Sequence, residues 1–122
     1  MSEVARFFAE VHENIDGLRE DAAVRQATLD WINAIAPHNY TYNFTWLGRP
    51  VIQFPQDLAA LQEIIWDTRP NLIVETGIAH GGSLIFHASM LQLLGNDGRV
   101  LGVDIDIREH NRGEIEMHPM YD

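Results

Sequence analysis

The chain has 122 residues, the size of one small domain, and 46% of them are hydrophobic, enough to build a core. Its 18 acidic and 8 basic residues give a net charge of -10. That balance argues against nucleic acid or an anionic membrane as a partner, because phosphate groups are held by clustered Lys and Arg. The absence of cysteine excludes disulfides, thiolate nucleophiles and Cys-based zinc sites. No apolar run approaches the roughly 20 residues that cross a bilayer. The first 20 residues are acidic and amphipathic, unlike a secretory signal or an Arg-rich transit peptide. A soluble, cytoplasmic α/β protein is the expectation.

In chain order, Val4, Phe7, Phe8, Val11, Ile15 and Leu18 recur at helical spacing over residues 3 to 19. A second helix is expected over about 21 to 35, with Ala22, Ala23, Val24, Ala27, Trp31, Ile32 and Ile35, ending before Pro37. These helices are expected to cover a core or a partner subunit, so a homo-oligomer through them is a candidate assembly. Residues 38–50 are rich in aromatics and amides and show no clear period, with turn residues at Gly48 and Pro50. They read either as a pocket wall suited to a flat polar ligand or as a connector whose aromatics tuck into a core. Pro55 and Asp57 open a third helix, with Leu58, Leu61, Ile64 and Ile65 as its buried face, ended by Arg69-Pro70.

Leu72-Ile73-Val74 reads as a strand covered on both faces. It runs into Glu75-Thr-Gly77-Ile-Ala-His80-Gly81-Gly82-Ser83, followed by a strongly apolar helix from Leu84 to Leu94. Gly95-Asn-Asp-Gly98 is a turn, Asp97 being part of its chemistry. Val100 to Val103 form a second buried-type strand ending on Asp104-Ile-Asp106, and Ile107 to Asp122 are polar with no strand pattern. A strand-helix-strand unit of this length implies two parallel neighbours.

Open α/β sheets bind ligands at the carboxyl ends of their strands. Glycines 77, 81 and 82 allow a sharp turn and let a ligand approach main chain without meeting a Cβ. The helix beginning near Ser83 points free N–H groups and its positive dipole end into the same space. Asp104, 27 residues after Gly77, can accept hydrogen bonds from two ribose hydroxyls. The pattern E-x-G-x-x-x-G-G-S is neither G-x-G-x-x-G nor a P-loop, and Glu75 would repel a phosphate. A ligand with a cationic amino-acid end, a ribose and no phosphate suits these residues. S-adenosylmethionine is such a ligand and is favoured over NAD, which stays open as the alternative.

The run NFTWLGRPVIQFPQDLAALQEIIWDTRPNLIVETGIAHGGSLIFHASML, followed by GRVLGVDIDIREHNR, resembles the cephalosporin hydroxylase family over roughly residues 40 to 118. P-Q-D, E-T-G-I-A-H-G-G-S and G-V-D-I-D-I-R stand in order along it. The resemblance implies the Rossmann-like class I S-adenosylmethionine-dependent methyltransferase fold, in a family that includes rhamnosyl O-methyltransferases. It implies methyl transfer to a hydroxyl of a small molecule or sugar. It also implies that Glu75, Gly77, Gly81 and Ser83 line the methionine side of the cofactor, and that Asp104 holds its ribose. His80 and Gly82 lie in the same turn and complete the candidate set. No catalytic residue is assigned.

Family members continue through a seven-stranded sheet and carry metal-binding acidic residues after the second strand. This chain is therefore expected to be the N-terminal portion of such a fold, with 1–37 a helical segment and 38–122 part of the cofactor-binding α/β domain. A divalent metal such as Mg would be held by residues beyond these; Asp106 and His110 are the nearest candidates here, more ordinarily turn or cap residues. His80 is either a cofactor contact or base, or a residue tolerating an unusual backbone angle. His87 reads as a satisfied core histidine, while His12, His38 and His118 show no ligand spacing. Trp46 and Trp66 read as packing residues, Trp46 being the better placed to face a cofactor. Besides a methyltransferase and an NAD-linked oxidoreductase, a noncatalytic nucleoside-binding remnant is the third reading.

Overall fold

The computed structural model describes residues 1–121, and Asp122 lies outside the described residues. The chain divides into two compact units, Met1–Asn39 and Tyr40–Asp122.

The first unit is a pair of helices, α1 (Glu3–Glu20) and α2 (Ala22–Ile35). Ser2 caps α1 by accepting the Ala5 N–H at 3.2 Å. Asp21 caps α2 by accepting from Ala23 and Val24 at 2.8 and 3.1 Å. Both caps satisfy N–H groups that have no partner inside the helix. A 3₁₀ turn over Ala36–His38 follows, with Asn39 left-handed at φ 49°. Neither helix contains a buried residue.

The second unit opens with a 3₁₀ turn, Tyr40–Tyr42, and a feature absent from the sequence reading: an antiparallel hairpin of β1 (Phe44–Trp46) and β2 (Arg49–Val51). Trp46 pairs with Arg49, so only Leu47 and Gly48 connect the strands. Both have positive φ, 45° and 87°, the combination a two-residue type I′ turn requires. Phe44 and Trp46, in a segment read as pocket wall or connector, are strand residues.

Helix α3 (Pro55–Thr68) starts with proline at its first position, as the sequence indicates, and ends on a left-handed Arg69 at φ 44°. Strand β3 (Leu72–Thr76), helix α4 (Gly82–Leu94) and strand β4 (Arg99–Val103) form the strand-helix-strand unit. The strands are parallel, with Glu75 opposite Gly102 and Thr76 opposite Val103. A fifth helix, α5 (Glu109–Glu116), occupies the segment read as polar with no strand pattern. Its Ile115 and Asn111 are 8% and 7% exposed, so two side chains anchor a helix whose sequence is otherwise hydrophilic.

Helix α4 is the centre of the second unit. It is apolar around its whole circumference, which is the pattern of a helix with neighbours on several sides, and it touches β1, β2, β4 and α3. Ile85, Phe86 and Leu91 are buried on it, together with Val51 from β2 and Ile65 from α3. Trp46 packs here, as expected, and does not face the turn. Its Nε1–H donates to Ser89 Oγ at 2.9 Å, and its ring meets Phe86 edge-on at 4.9 Å. Trp66, expected to pack, is exposed and lies under the Arg69 guanidinium, 4.5 Å from the ring centre.

The two parallel strands differ from their expected environment. Glu75 and Gly102 face α4, whereas Leu72, Val74, Leu101 and Val103, on the opposite face, are 48–56% exposed. Strand side chains alternate faces, and α4 covers only one of them.

Candidate functional site

The turn between β3 and α4 is built by three left-handed residues: Gly77 (φ 84°), Ala79 (46°) and Gly81 (80°). The Gly77 N–H extends the sheet by donating to Val103 O at 2.8 Å. Gly81 closes the turn by donating to Ile78 O at 2.8 Å and stands at the N-cap of α4, with no side chain capping that end. His80, considered as the residue adopting an unusual angle, lies between two left-handed residues and is not one itself.

The glycines have different reasons. At Gly77 nothing lies within 4 Å of where a Cβ would stand, so the position is open as well as left-handed. A Cβ on Gly81 would collide with the Ile115 side chain, and one on Gly82 with the Pro50 backbone of β2. Gly77 therefore leaves main chain accessible, while Gly81 and Gly82 let α5 and β2 close onto the start of α4.

The Asp104 carboxylate follows β4 and caps the turn. Its Oδ2 accepts the Ile78 N–H at 2.7 Å, and its Oδ1 accepts the Asp106 N–H at 3.2 Å. These backbone donors, Ile78 first, hold the Asp104 pKa below its ordinary value. Each oxygen retains a lone pair for another donor. Asp104 is only partly covered, so its capping role leaves it reachable by a ligand hydroxyl.

Glu75 has different surroundings. Its Oε1 accepts the Ser83 hydroxyl, and its Oε2 lies 3.6 Å from His87 Nε2. Ser83 and His87 are four residues apart, so one face of α4 presents both to the strand end. Burial raises the Glu75 pKa, with the Ser83 hydrogen bond opposing, and burial lowers that of His87. Burial thus disfavours the charged form of both groups. Glu75 Oε2 and His87 Nδ1 are buried without a hydrogen-bond partner. His87 is thus in the core as expected, but it is not satisfied there.

The structure brings Glu75 and Ser83 into direct contact and seats Asp104 beneath the turn. A groove of about 1010 Å³ lies between α4, β4 and α5 and is lined by Leu84, Ala88, Leu101, Gly102, Ile107 and Arg112, among others. It meets the turn at Ile78, whereas Glu75, Gly77, His80 and Asp104 do not line it. Among the described residues no three His, Asp or Glu side chains gather into a metal site, so Asp106 and His110 are not joined by further ligands. No helix among the described residues is long and apolar enough to cross a membrane.

Sequence reasoning missed Arg49 and Asn111. Arg49 Nε and Nη2 donate to His80 O at 3.0 and 2.7 Å. Asn111 Nδ2 donates to Ala79 O at 3.0 Å, and its Oδ1 lies 3.3 Å from His80 Nδ1. They are 31 and 32 residues from their partners in sequence, and neither belongs to a recognisable local motif.

Two parallel strands joined through a glycine-rich turn and a helix, with an acidic residue ending the second strand, define a Rossmann-like α/β unit. Residues 38–122 match the family described as Rhamnosyl O-methyltransferase/CmcI, and the chain belongs to that family. The rhamnosyl O-methyltransferase of Mycobacterium leprae (strain TN) is 33% identical over 72 residues, covering 58% of this chain and 31% of that protein. The rhamnosyl O-methyltransferase of Mycobacterium tuberculosis is 32% identical over 60 residues, 49% of this chain and 24% of that one. Among solved structures, CmcI with SAH superposes with a TM-score of 0.50 at 29% identity, covering 57% of this chain and 39% of that chain. CmcI with Mg-SAM gives a TM-score of 0.52 at 29% identity, with 57% and 32% covered. The chain thus spans about a third or less of the curated relatives it matches.

Proposed function

We propose that this chain provides the S-adenosylmethionine-binding part of an O-methyltransferase acting on a hydroxyl of a sugar or small molecule. The observation that carries the reading is the turn at Gly77: left-handed, open on its Cβ side, and next to a partly exposed Asp104 at the ends of two parallel strands. Membership of the family, and the SAH and Mg-SAM in the CmcI structures, support it.

The residues present fit this cofactor better than a dinucleotide. Asp104 offers acceptor lone pairs to ribose hydroxyls, Gly77 exposes bare peptide, and the uncapped first turn of α4 opens beside them. The turn lacks the G-x-G-x-x-G spacing with which a dinucleotide site seats its pyrophosphate. The bound cofactor would supply an electrophilic methyl group. The chain's own residues act by positioning, which can lower a barrier by roughly 7–11 kcal/mol when geometry is good. In this reading Gly77, His80, Gly81, Gly82 and Asp104 shape the nucleoside seat. Glu75 and Ser83 support it from below, because the Glu75 carboxylate is committed to Ser83 and His87. No described side-chain group fits a divalent metal, and no step is assigned to one. The rhamnosyl acceptor of the relatives is the acceptor class proposed, and pairing of two copies through α1 and α2 is the assembly proposed.

Calorimetric titration of the chain with S-adenosylhomocysteine and, separately, with NADH tests the reading. Saturable binding of the first and none of the second is expected. Preference for NADH, or binding of neither, overturns it.

A further inference from the structure

The outer carbonyls of the glycine-rich turn are both held by side chains from distant elements, and the turn has reason to need holding. Ala79 is left-handed without being glycine, a conformation that costs roughly 1–2 kcal/mol for a residue with a Cβ. Asn111, reaching from α5, fixes the Ala79 carbonyl at 3.0 Å, and it is itself 7% exposed. Arg49, reaching from β2, places two N–H groups on the next carbonyl, that of His80. Its side chain is 13% exposed, and its third contact, Nη1 to Glu114 Oε2 at 3.1 Å, ties it to α5. Besides its ion pair with Glu114, the guanidinium spends two donors on one neutral carbonyl, which fixes that carbonyl's direction. Because each peptide unit is planar, fixing a carbonyl also fixes the N–H of the following residue. On the opposite side, Asp104 holds the Ile78 N–H. The turn is gripped from both sides.

We infer that Arg49 and Asn111 form a clasp that sets the conformation of the 77–81 turn, and that they are positioning residues for the nucleoside seat. The link to ligand binding rests on the proposed function; the clasp itself does not. Glu114 closes it by joining Arg49 to the helix that carries Asn111.

The test uses Arg49→Lys and Asn111→Ala in the full chain, with two readouts. The first is amide hydrogen exchange at Ile78 and Gly81 without ligand, set against the amides of α3. Lysine keeps a charge for Glu114 but cannot place two N–H groups on the His80 carbonyl, so it should not rescue the clasp. Each variant is expected to speed exchange at Ile78 and Gly81 about tenfold, the scale of one lost hydrogen bond, while α3 exchange stays at the wild-type rate. The second readout is affinity for S-adenosylhomocysteine, expected to fall about tenfold in each variant. Unchanged turn exchange in both variants overturns the clasp, as does a uniform rise across the turn and α3, which marks general destabilisation. Faster turn exchange in a chain whose wild type binds no S-adenosylhomocysteine upholds the clasp and overturns the methyltransferase reading.

Discussion

Gly77 and Gly95 are a matched pair for separating backbone strain from ligand recognition. Both are left-handed, at φ 84° and 67°, and at both a Cβ would point into open space. Alanine at either position should therefore cost the intrinsic left-handed penalty and no steric term, about 1–2 kcal/mol. For a domain of this size that is a fall in Tm of roughly 4 °C per kcal/mol. The two differ in location: Gly95 ends α4, whereas Gly77 sits at the carboxyl end of β3 beside Asp104. If the open side of Gly77 receives the nucleoside, a methyl there occupies ligand space and Gly77→Ala loses affinity for S-adenosylhomocysteine well beyond its stability loss. Gly95→Ala loses the same stability and keeps its affinity. Gly82→Ala adds a third case. Gly82 is helical, so alanine should gain about 0.5–1 kcal/mol from helix preference. The new Cβ would nevertheless stand 2.8 Å from Val51 Cα and nearer still to the Pro50 carbonyl, so the hairpin must shift, an overpacking cost of about 1–3 kcal/mol. Thermal unfolding and calorimetry on the three variants check this. Equal stability losses and equal affinities for Gly77→Ala and Gly95→Ala would refute the placement of the ligand over Gly77.

Three further outcomes are expected. Asp104→Ala removes the acceptor of the Ile78 and Asp106 N–H groups and the proposed ribose partner together, so S-adenosylhomocysteine affinity should fall at least about tenfold, while Asp97→Ala leaves it unchanged, as titration calorimetry will read. Glu75 has a folded pKa raised above 4.5, so the folded state binds the extra proton just above that pH and wild-type stability falls as pH rises through the folded pKa. Glu75→Gln cannot ionise and should gain on the wild type over that window in urea unfolding; a wild type that gains instead would show that ionised Glu75 is stabilised by a protonated His87. Phe86, 1% exposed at the contact of α4 with Trp46, should cost about 3–5 kcal/mol as alanine, measured by denaturant unfolding.

What was legible in the sequence was what local chemistry decides. Proline at the start of α3, the apolar run of α4, the turn at Gly95 and the carboxylates at the ends of β3 and β4 each announce themselves within a few residues. The β1–β2 hairpin was not legible because its turn is Leu47-Gly48 rather than Asn-Gly. Leucine is left-handed there because tertiary contacts support it: the His118 ring, whose Nδ1 accepts from Met120 N–H, presents its Nε2–H to Leu47 O at 3.0 Å. That contact spans 71 residues, and no local pattern encodes it. Helix α5 was hidden for a similar reason, since its packing rests on Ile115 and Asn111 within a polar stretch.

The same division runs through the site. The residues of the proposed nucleoside seat are written contiguously at Glu75–Ser83 and at Asp104, because strand ends and one turn carry them. What holds that turn comes from elsewhere: Arg49 before it, Asn111 and Glu114 after it. Glu75 makes the point most sharply. A carboxylate just before a glycine turn reads as a ligand group, yet Ser83 and His87, four residues apart on α4, draw it beneath the helix, where burial favours its neutral form. His87 lies one helical turn beyond the motif and reads as apolar packing. Its buried, unpartnered Nδ1 shows that the polar interior under the turn is larger than the motif. Alternation of side chains along β3 sends Glu75 to the helix-covered face and leaves Val74 on the bare one. A shift of one residue in that strand would put the carboxylate in water and an apolar side chain under Ser83, so the register between β3 and β4 is what keeps Glu75 against Ser83 and His87.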